Sequence, residues 1–222
     1  MPNSKRHLLF LIALLAATLG ANLPAQATET QVPTPPFVAN APASSSWKIA
    51  VTYKRSYPEP AEKGSTAHEQ WKQLQKILPA ITKIAVSKSG NRLREVTDYA
   101  QGTSDERYCV EGMQFLRMAT FVPGDISVGA VTSNQDFPEL GWITLENFTG
   151  IQTAQGKKCF VFVSESEGDR KEAWIDATTK LPVKFNDTTY DRLYEFLPLK
   201  PSDLDPSPAI AKRVAACIPV PK

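Results

Sequence analysis

Residues able to do chemistry are few in this chain of 222 residues. Of the two histidines, His7 lies in an N-terminal segment expected to be removed, which leaves His68. A single imidazole cannot supply the histidine pair of a metal site, and a Ser-His-Asp arrangement would have to use that one residue. His68 lies in a predicted helix, where we expect it on the surface.

Other catalytic patterns are missing as well. The sequence contains no Gly-rich phosphate loop, no zinc-binding cysteine pair and no nucleophile elbow. Glu165 and Glu167 lie in a predicted turn near lysine and arginine, where a solvated surface is expected rather than a general acid and base. The sequence therefore predicts a protein that is not an enzyme and that binds no metal or cofactor.

The first 27 residues have the pattern of a secretory signal peptide. Lys5, Arg6 and His7 precede an uncharged run of about twelve residues, and Ala25-Gln26-Ala27 follows. This run is shorter than the roughly twenty residues that a membrane-spanning helix needs. We expect cleavage after Ala27 and a periplasmic or secreted product without a transmembrane segment. The alternative is an uncleaved N-terminal anchor.

Cleavage would leave an electrically neutral product. Loss of Lys5 and Arg6 takes the basic side chains from 25 to 23, equal to the 23 acidic ones. Binding to nucleic acid depends on clustered Lys and Arg side chains. We therefore expect no nucleic-acid partner.

Three cysteines, Cys109, Cys159 and Cys217, would enter a compartment that permits disulfides. We expect one disulfide and one free thiol. Cys109 with Cys159 is the first choice because both fall in strand-like runs. Spacing alone leaves the other two pairings open.

Residues 28–46 are rich in Pro, Ala, Ser and Thr and hold almost no large apolar side chains. Such a stretch buries too little surface to offset the entropy of ordering, so we expect a flexible linker. The alternative is a short strand around Phe37 and Val38 that docks on the domain. The folded domain is predicted to span residues 47–222.

The domain begins with a strand and a helix. In the run from Trp47 to Lys54, apolar and polar residues alternate, which is typical of a strand with one buried face. A helix is predicted near residues 67–78. Thr66 and Glu69 fit a capping box at its start, and Pro79 ends it.

Short strands separated by turns make up most of the remaining chain. Hairpins are predicted to close at residues 89–91 and 111–112, and the segment 121–140 is expected to be a loop with one short strand or helical turn. Four strands are then predicted near residues 157–164, 170–176, 181–187 and 190–197. Connections this short require antiparallel neighbours. The fold class is therefore mainly β (α+β), a single curved antiparallel sheet covered by a few short helices.

A C-terminal helix completes the domain. Asp205 is the predicted N-cap and Pro206 the first helical residue. Ile210, Val214 and Cys217 are spaced to share one face. We expect this helix to pack on the sheet or across its open side.

The stretch EAWIDATTKLPVKF, residues 172–185, reads as a hairpin. Asp176 ends the first strand, where its carboxylate can accept hydrogen bonds from the backbone of the turn. Pro182 lacks a backbone donor and belongs at the start of a strand or on an edge. We interpret Asp176 as a turn-capping residue without a chemical role.

This hairpin, and the order of the elements around it, resembles the LolA/LolB-like superfamily of periplasmic lipoprotein carriers and their relatives. The matching positions are Trp174, Asp176, Leu181 and Pro182, within residues 157–197. The resemblance implies a half-open barrel wrapped around a hydrophobic cavity that helices cover. In the characterised carriers that cavity takes up the acyl chains of lipoproteins.

The leading hypothesis is therefore an exported, non-enzymatic protein that binds a lipid, a lipidated protein or another apolar ligand. The alternative is an envelope interaction or scaffolding module whose core is fully packed and holds no ligand. A third hypothesis, a hydrolase, would need His68 at the mouth of a pocket with two acids. The residues predicted to line the cavity are Trp47, Ile49, Val51, Tyr53, Trp174, Tyr194 and Phe196.

Overall fold

The structure is a computed structural model that describes residues 31–54, 62–77, 80–118, 124–131, 135–166 and 169–218. The chain divides into two compact units, Met1–Val32 and Pro33–Lys222. The fold described below is that of the second unit. The predicted signal peptide lies outside the described residues, and so does Glu167. No helix in the described ranges combines the length and apolar character required to cross a bilayer.

Eleven strands form one antiparallel sheet in the order β6-β5-β4-β3-β2-β1-β11-β10-β9-β8-β7. Each strand therefore pairs with its neighbours in sequence, except that β6 and β7 do not pair with each other, and the first strand also pairs with the last. The sheet is open, with β6 and β7 as its outer strands in the described part of the chain, and the predicted fold class is confirmed. The strands are β1 Ser44–Tyr53, β2 Ile81–Ser89, β3 Arg92–Tyr99, β4 Ser104–Val110, β5 Met113–Arg117, β6 Ile126–Ala130, β7 Phe148–Ala154, β8 Lys157–Ser166, β9 Asp169–Asp176, β10 Pro182–Asn186 and β11 Tyr190–Leu197.

In the described residues, two-residue turns with positive φ at both positions close two of the hairpins. Glu111-Gly112 has φ values of 50° and 73°, and Gln155-Gly156 has the same pair of values. Two successive positive φ angles match the right-handed twist of the flanking strands. The second of these turns joins β7 to β8. Strand β7 was not predicted, although the Gln-Gly pair was the signal that could have revealed it.

Two α-helices occur in the described residues, α1 at Thr66–Ile77 and α2 at Pro208–Cys217. Ser65 Oγ accepts a hydrogen bond from His68 N–H, so Ser65 and not Thr66 caps α1. The predicted surface position of His68 is wrong: its side chain is 5% exposed and its ring stacks on Trp71 at 5.7 Å. The described ranges also contain three short 3-10 helices, at Pro138–Leu140, Leu145–Asn147 and Pro201–Leu204.

Helix α2 starts two residues later than predicted. A residue that precedes proline is driven out of the α region, so Ser207, which precedes Pro208, takes an extended ψ of 153°. The helix can therefore begin only at Pro208. Ile210 is fully buried and Val214 and Cys217 pack in the same cluster against β4 and β5, as the spacing predicted.

The predicted disulfide between Cys109 and Cys159 is not formed, and all three cysteines are free thiols. Six strands lie between β4, which carries Cys109, and β8, which carries Cys159. Because burial raises the pKa of both thiols, they stay protonated and unreactive.

Candidate functional site

One side of the sheet carries a large cluster of aromatic and aliphatic side chains, and we call it the aromatic face. Six of the seven residues predicted to line a cavity lie there. Trp47, Ile49, Val51 and Tyr194 are buried in the cluster, and Phe196 packs against it. Tyr53 is half-buried, with its ring 5.5 Å from that of Tyr190. Strand alternation therefore puts Trp47, Ile49, Val51 and Tyr53 on one face, and their role as a cavity lining stays a prediction.

Trp174 is the exception, because it lies on the opposite face. Its neighbours in β9, Ala173 and Ile175, belong to the aromatic cluster, and side chains alternate along a strand. Trp174 packs instead with Cys159, Val161 and Val183. Lys184 Nζ lies 4.3 Å above its ring centroid. Trp174 is therefore removed from the candidate site.

Asp176 has the turn-capping position expected for it. Its Oδ1 accepts hydrogen bonds from the backbone N–H groups of Thr178 at 2.8 Å and Thr179 at 3.1 Å. Lys180, at the end of this turn, has a φ of 61°. Strand β10 then begins at Pro182, as predicted.

A segment of the expected linker covers part of the aromatic face. We call residues 33–43 the strap. The ring of Phe37 lies 5.9 Å from that of Phe162, the N–H of Ala39 donates to the carbonyl of Lys180, and Ala41 is 5% exposed. The alternative to a flexible linker, a segment around Phe37 and Val38 that docks on the domain, is therefore the correct description of the strap, although the strap is not a strand. Residues 44–46 already belong to β1.

A second segment without strand structure lies beside the strap. We call residues 135–147 the capping loop. The ring of Phe137 is 5.6 Å from that of Trp47 and 6.0 Å from that of Tyr194. Leu140 and Ile143 are buried in the same cluster. The capping loop therefore fills the space above the centre of the predicted site.

Polar contacts fix both segments in place. Asp136 Oδ2 accepts hydrogen bonds from the backbone N–H of Ala41 at 2.8 Å and from Lys88 Nζ at 2.6 Å. Tyr194 donates its hydroxyl proton to Glu139 Oε1. Burial and the charge of Glu139 raise the pKa of Tyr194 well above its ordinary value, so the hydroxyl remains a donor. One carboxylate therefore joins strap, capping loop and sheet, and a second joins the loop to β11.

A cavity of about 230 Å³ lies where the strap meets the capping loop. Phe37 and Val38 line it from the strap, and Phe137, Leu140 and Ile143 from the loop. The two segments are thus not sealed against each other. Asn40 and Gln135 also line it, so a hydrocarbon group would contact only the apolar part of a mixed lining.

Arg192 also lies on the aromatic face, and the sequence analysis did not predict it as a site residue. Its guanidinium is 5.3 Å from the ring centroid of Phe185 and 5.4 Å from that of Tyr190. A cation can lie on aromatic rings without an ionic partner. The alternation of Arg192 with Tyr190 and Tyr194 in β11 was the available signal.

The described residues contain no group of three or more His, Cys, Asp or Glu side chains placed to hold a metal ion. His68 lies in α1 with Trp71 as its ring neighbour. The described residues of the candidate site offer packing against apolar and aromatic groups, with the guanidinium of Arg192 and the phenols of Tyr53, Tyr190 and Tyr194 among them.

No protein-family model and no curated protein matches the sequence. A search of solved structures finds the lipoprotein LppX of Mycobacterium tuberculosis. The identity is 12%, the match covers 73% of this chain and 90% of that chain, and the TM-score is 0.37. Neither the identity of 12% nor the TM-score of 0.37 is high enough to transfer a function from that lipoprotein to this chain.

Proposed function

We propose that this chain is an exported, non-enzymatic protein that binds a lipid, a lipidated protein or another apolar ligand on its aromatic face. The observation that carries the proposal is the cover of that face. Two segments without strand structure cover it: the capping loop lies over Trp47 and Tyr194, and the strap lies over Phe162. Asp136 joins the two segments. A ligand would enter by displacing the cover.

The geometry of the cover supports this role. Breaking the two hydrogen bonds of Asp136, the one between Tyr194 and Glu139, and the one from Ala39 N–H to the Lys180 carbonyl would leave segments that touch the sheet through apolar side chains. An acyl chain could replace those apolar contacts, because the hydrophobic effect has no directional requirement. The polar contacts would then determine when the face opens.

The second candidate function is an envelope interaction module that keeps its core closed. The near-complete burial of several residues of the predicted site favours it: Trp47 is 1% exposed, Tyr194 3% and Ile49 6%. In that case the strap and capping loop are permanent parts of the core. This candidate predicts that no lipid accompanies the purified protein.

Native mass spectrometry and dye binding separate the two candidates. For the mature chain purified from cells, we expect an additional mass that organic solvent extracts as lipid. We also expect saturable enhancement of the fluorescence of N-phenyl-1-naphthylamine, reversed by palmitate. Absence of extractable lipid together with absence of saturable dye binding would contradict ligand binding and leave the interaction module.

Two variants in β11 locate the binding face. Phe196→Ser removes a ring that contacts Trp47 and Phe137 on the aromatic face. Leu193→Ser removes a side chain that is 42% exposed on the opposite face. We expect weaker dye binding only in Phe196→Ser, measured where circular dichroism shows both variants folded. Equal weakening in the two variants would place the dye elsewhere.

A further inference from the structure

A second cavity lies on the face of the sheet opposite the aromatic face. Its volume is about 400 Å³. Strands β1, β2, β3 and β11 form its floor, and the segment that follows β11 forms one wall. The 3-10 helix Pro201–Leu204 contacts β2 and β3 and so holds this wall against the sheet. The proposed function makes no use of this cavity.

Three cationic side chains line the cavity. They are Lys48 from β1, Arg94 from β3 and Lys200 from the wall. Lys48 and Lys200 are exposed, whereas Arg94 is half-buried, with its Nε 2.7 Å from Glu106 Oε1. The other nitrogens of that guanidinium still carry N–H donors. Among the described lining residues Asp203 is the one carboxylate, so the lining has an excess of positive charge.

Two buried hydroxyls lie in the floor. Ser46 is 8% exposed and Ser87 is 7% exposed, and their Oγ atoms are 3.0 Å apart. A pair of hydroxyls shares one hydrogen bond, which uses one of their two protons. The second proton is left to donate to another acceptor. This acceptor would lie among the three cationic side chains.

The wall is held in a fixed conformation. Asp203 Oδ2 accepts a hydrogen bond from the backbone N–H of Lys200 at 2.9 Å, and Arg92 donates to the carbonyl of Leu204 at 3.3 Å. Leu204 is 6% exposed. The backbone that carries Lys200 is therefore positioned before any ligand arrives, which lowers the entropy lost on binding.

We propose that this cavity binds a phosphate group, either free or carried by an organic molecule. Lysine and arginine donors together with a hydroxyl are the groups that recognise phosphate oxygens. Val96 and Leu197 in the floor and Pro198 in the wall add apolar surface beside the cations. A phosphate ester with an apolar substituent therefore binds more tightly than inorganic phosphate.

Titration calorimetry on the mature chain tests this site with inorganic phosphate and phenyl phosphate as probes. Flotation with phosphatidylcholine vesicles, with and without phosphatidylglycerol, tests a lipid headgroup as the source of the phosphate. We expect one saturable site that prefers phenyl phosphate, or selective binding to the phosphatidylglycerol vesicles. Lys48→Gln and Lys200→Gln should each weaken binding by about tenfold or more, because each removes a charge-assisted hydrogen bond.

Lys212→Gln is the matched control, since Lys212 is exposed on α2 and does not line the cavity. It makes the same change in net charge and should leave binding unchanged. The proposal is overturned if no probe binds saturably, or if Lys212→Gln weakens binding as much as the two cavity variants. Dye binding on the aromatic face is independent of all three variants, so failure of this site leaves the proposed function standing.

Discussion

Glu106 is a buried carboxylate whose stability contribution depends on pH. Glu106 is 3% exposed. Its Oε1 accepts hydrogen bonds from Arg94 Nε at 2.7 Å and from the backbone N–H of Ser207 at 3.0 Å. Burial alone would raise the pKa of Glu106, but the hydrogen bonds from Ser207 and Arg94 outweigh it and hold that pKa below the ordinary value of 4.5. The charged form is therefore the one that the fold stabilises.

A depressed pKa in the folded state stabilises the protein above the pKa of the unfolded state. The contribution of Glu106 should be complete above about pH 5 and decline as the pH falls through 4.5 and below. We expect Glu106→Gln to lower the free energy of unfolding at pH 7 by about 1 to 3 kcal/mol, and by less at pH 3.5. Urea unfolding at both pH values measures the difference.

Glu165→Gln is the control for this experiment. Glu165 pairs with Arg170 at the surface, where their side chains are 63% and 60% exposed. We expect a change below about 1 kcal/mol at either pH. An equal loss in Glu106→Gln at pH 7 and pH 3.5 would mean that its charge is not what stabilises the fold.

At the scale of the element, the N-cap of α1 can be tested by mutation. The cap predicted from the sequence was Thr66, and the structure places it one residue earlier, at Ser65. Ser65 Oγ accepts from His68 N–H at 3.2 Å and donates to the carbonyl of Glu62 at 2.8 Å. We expect Ser65→Ala to destabilise the helix by about 1 kcal/mol. Faster hydrogen exchange in residues 66–69 would report it. Thr66→Ala should cause no such change, and equal effects would restore Thr66 as the cap.

The strap gives a second prediction for an element. Lys88 and Asp136 form an ion pair whose side chains are 16% and 6% exposed, and Asp136 also holds the N–H of Ala41. Asp136→Ala leaves Lys88 without this partner, and we expect a loss of about 3 to 5 kcal/mol with faster hydrogen exchange in residues 37–43. Glu165→Ala, which breaks an exposed pair, serves as control. Unchanged exchange in the strap would show that its apolar contacts and the hydrogen bond from Ala39 N–H to the Lys180 carbonyl are enough to hold it.

What the sequence could predict depended on local pattern. Alternation fixed β1 and its buried face, because side-chain direction in a strand has a period of two. The same rule was available for Trp174, yet its face relative to Trp47 depends on how β9 and β1 are placed within the sheet. Docking of the strap was only the alternative to a flexible linker, because its few apolar groups, such as Phe37, gain burial only from distant strands. The composition of a segment does not show which distant strands it will contact.

At the scale of the whole molecule, sheet order determines the state of the thiols. Cys159 is fully buried, Cys109 is 7% exposed, and six strands lie between β4 and β8. Disulfide bonds require Cα atoms within about 7 Å. We therefore expect no disulfide between these residues even in an oxidising compartment, and no change in mobility between reducing and non-reducing gels.

Alkylation followed by mass spectrometry checks this topology directly. In the native protein, iodoacetamide should label Cys217, which is half-buried near the end of α2, well before the other two. Burial and the raised pKa values of Cys109 and Cys159 both slow their reaction, because the thiolate is the reactive form. In urea without reductant, all three should be labelled. Recovery of only one labelled thiol in urea would require a disulfide, and one between Cys109 and Cys159 would contradict the order of strands in the sheet.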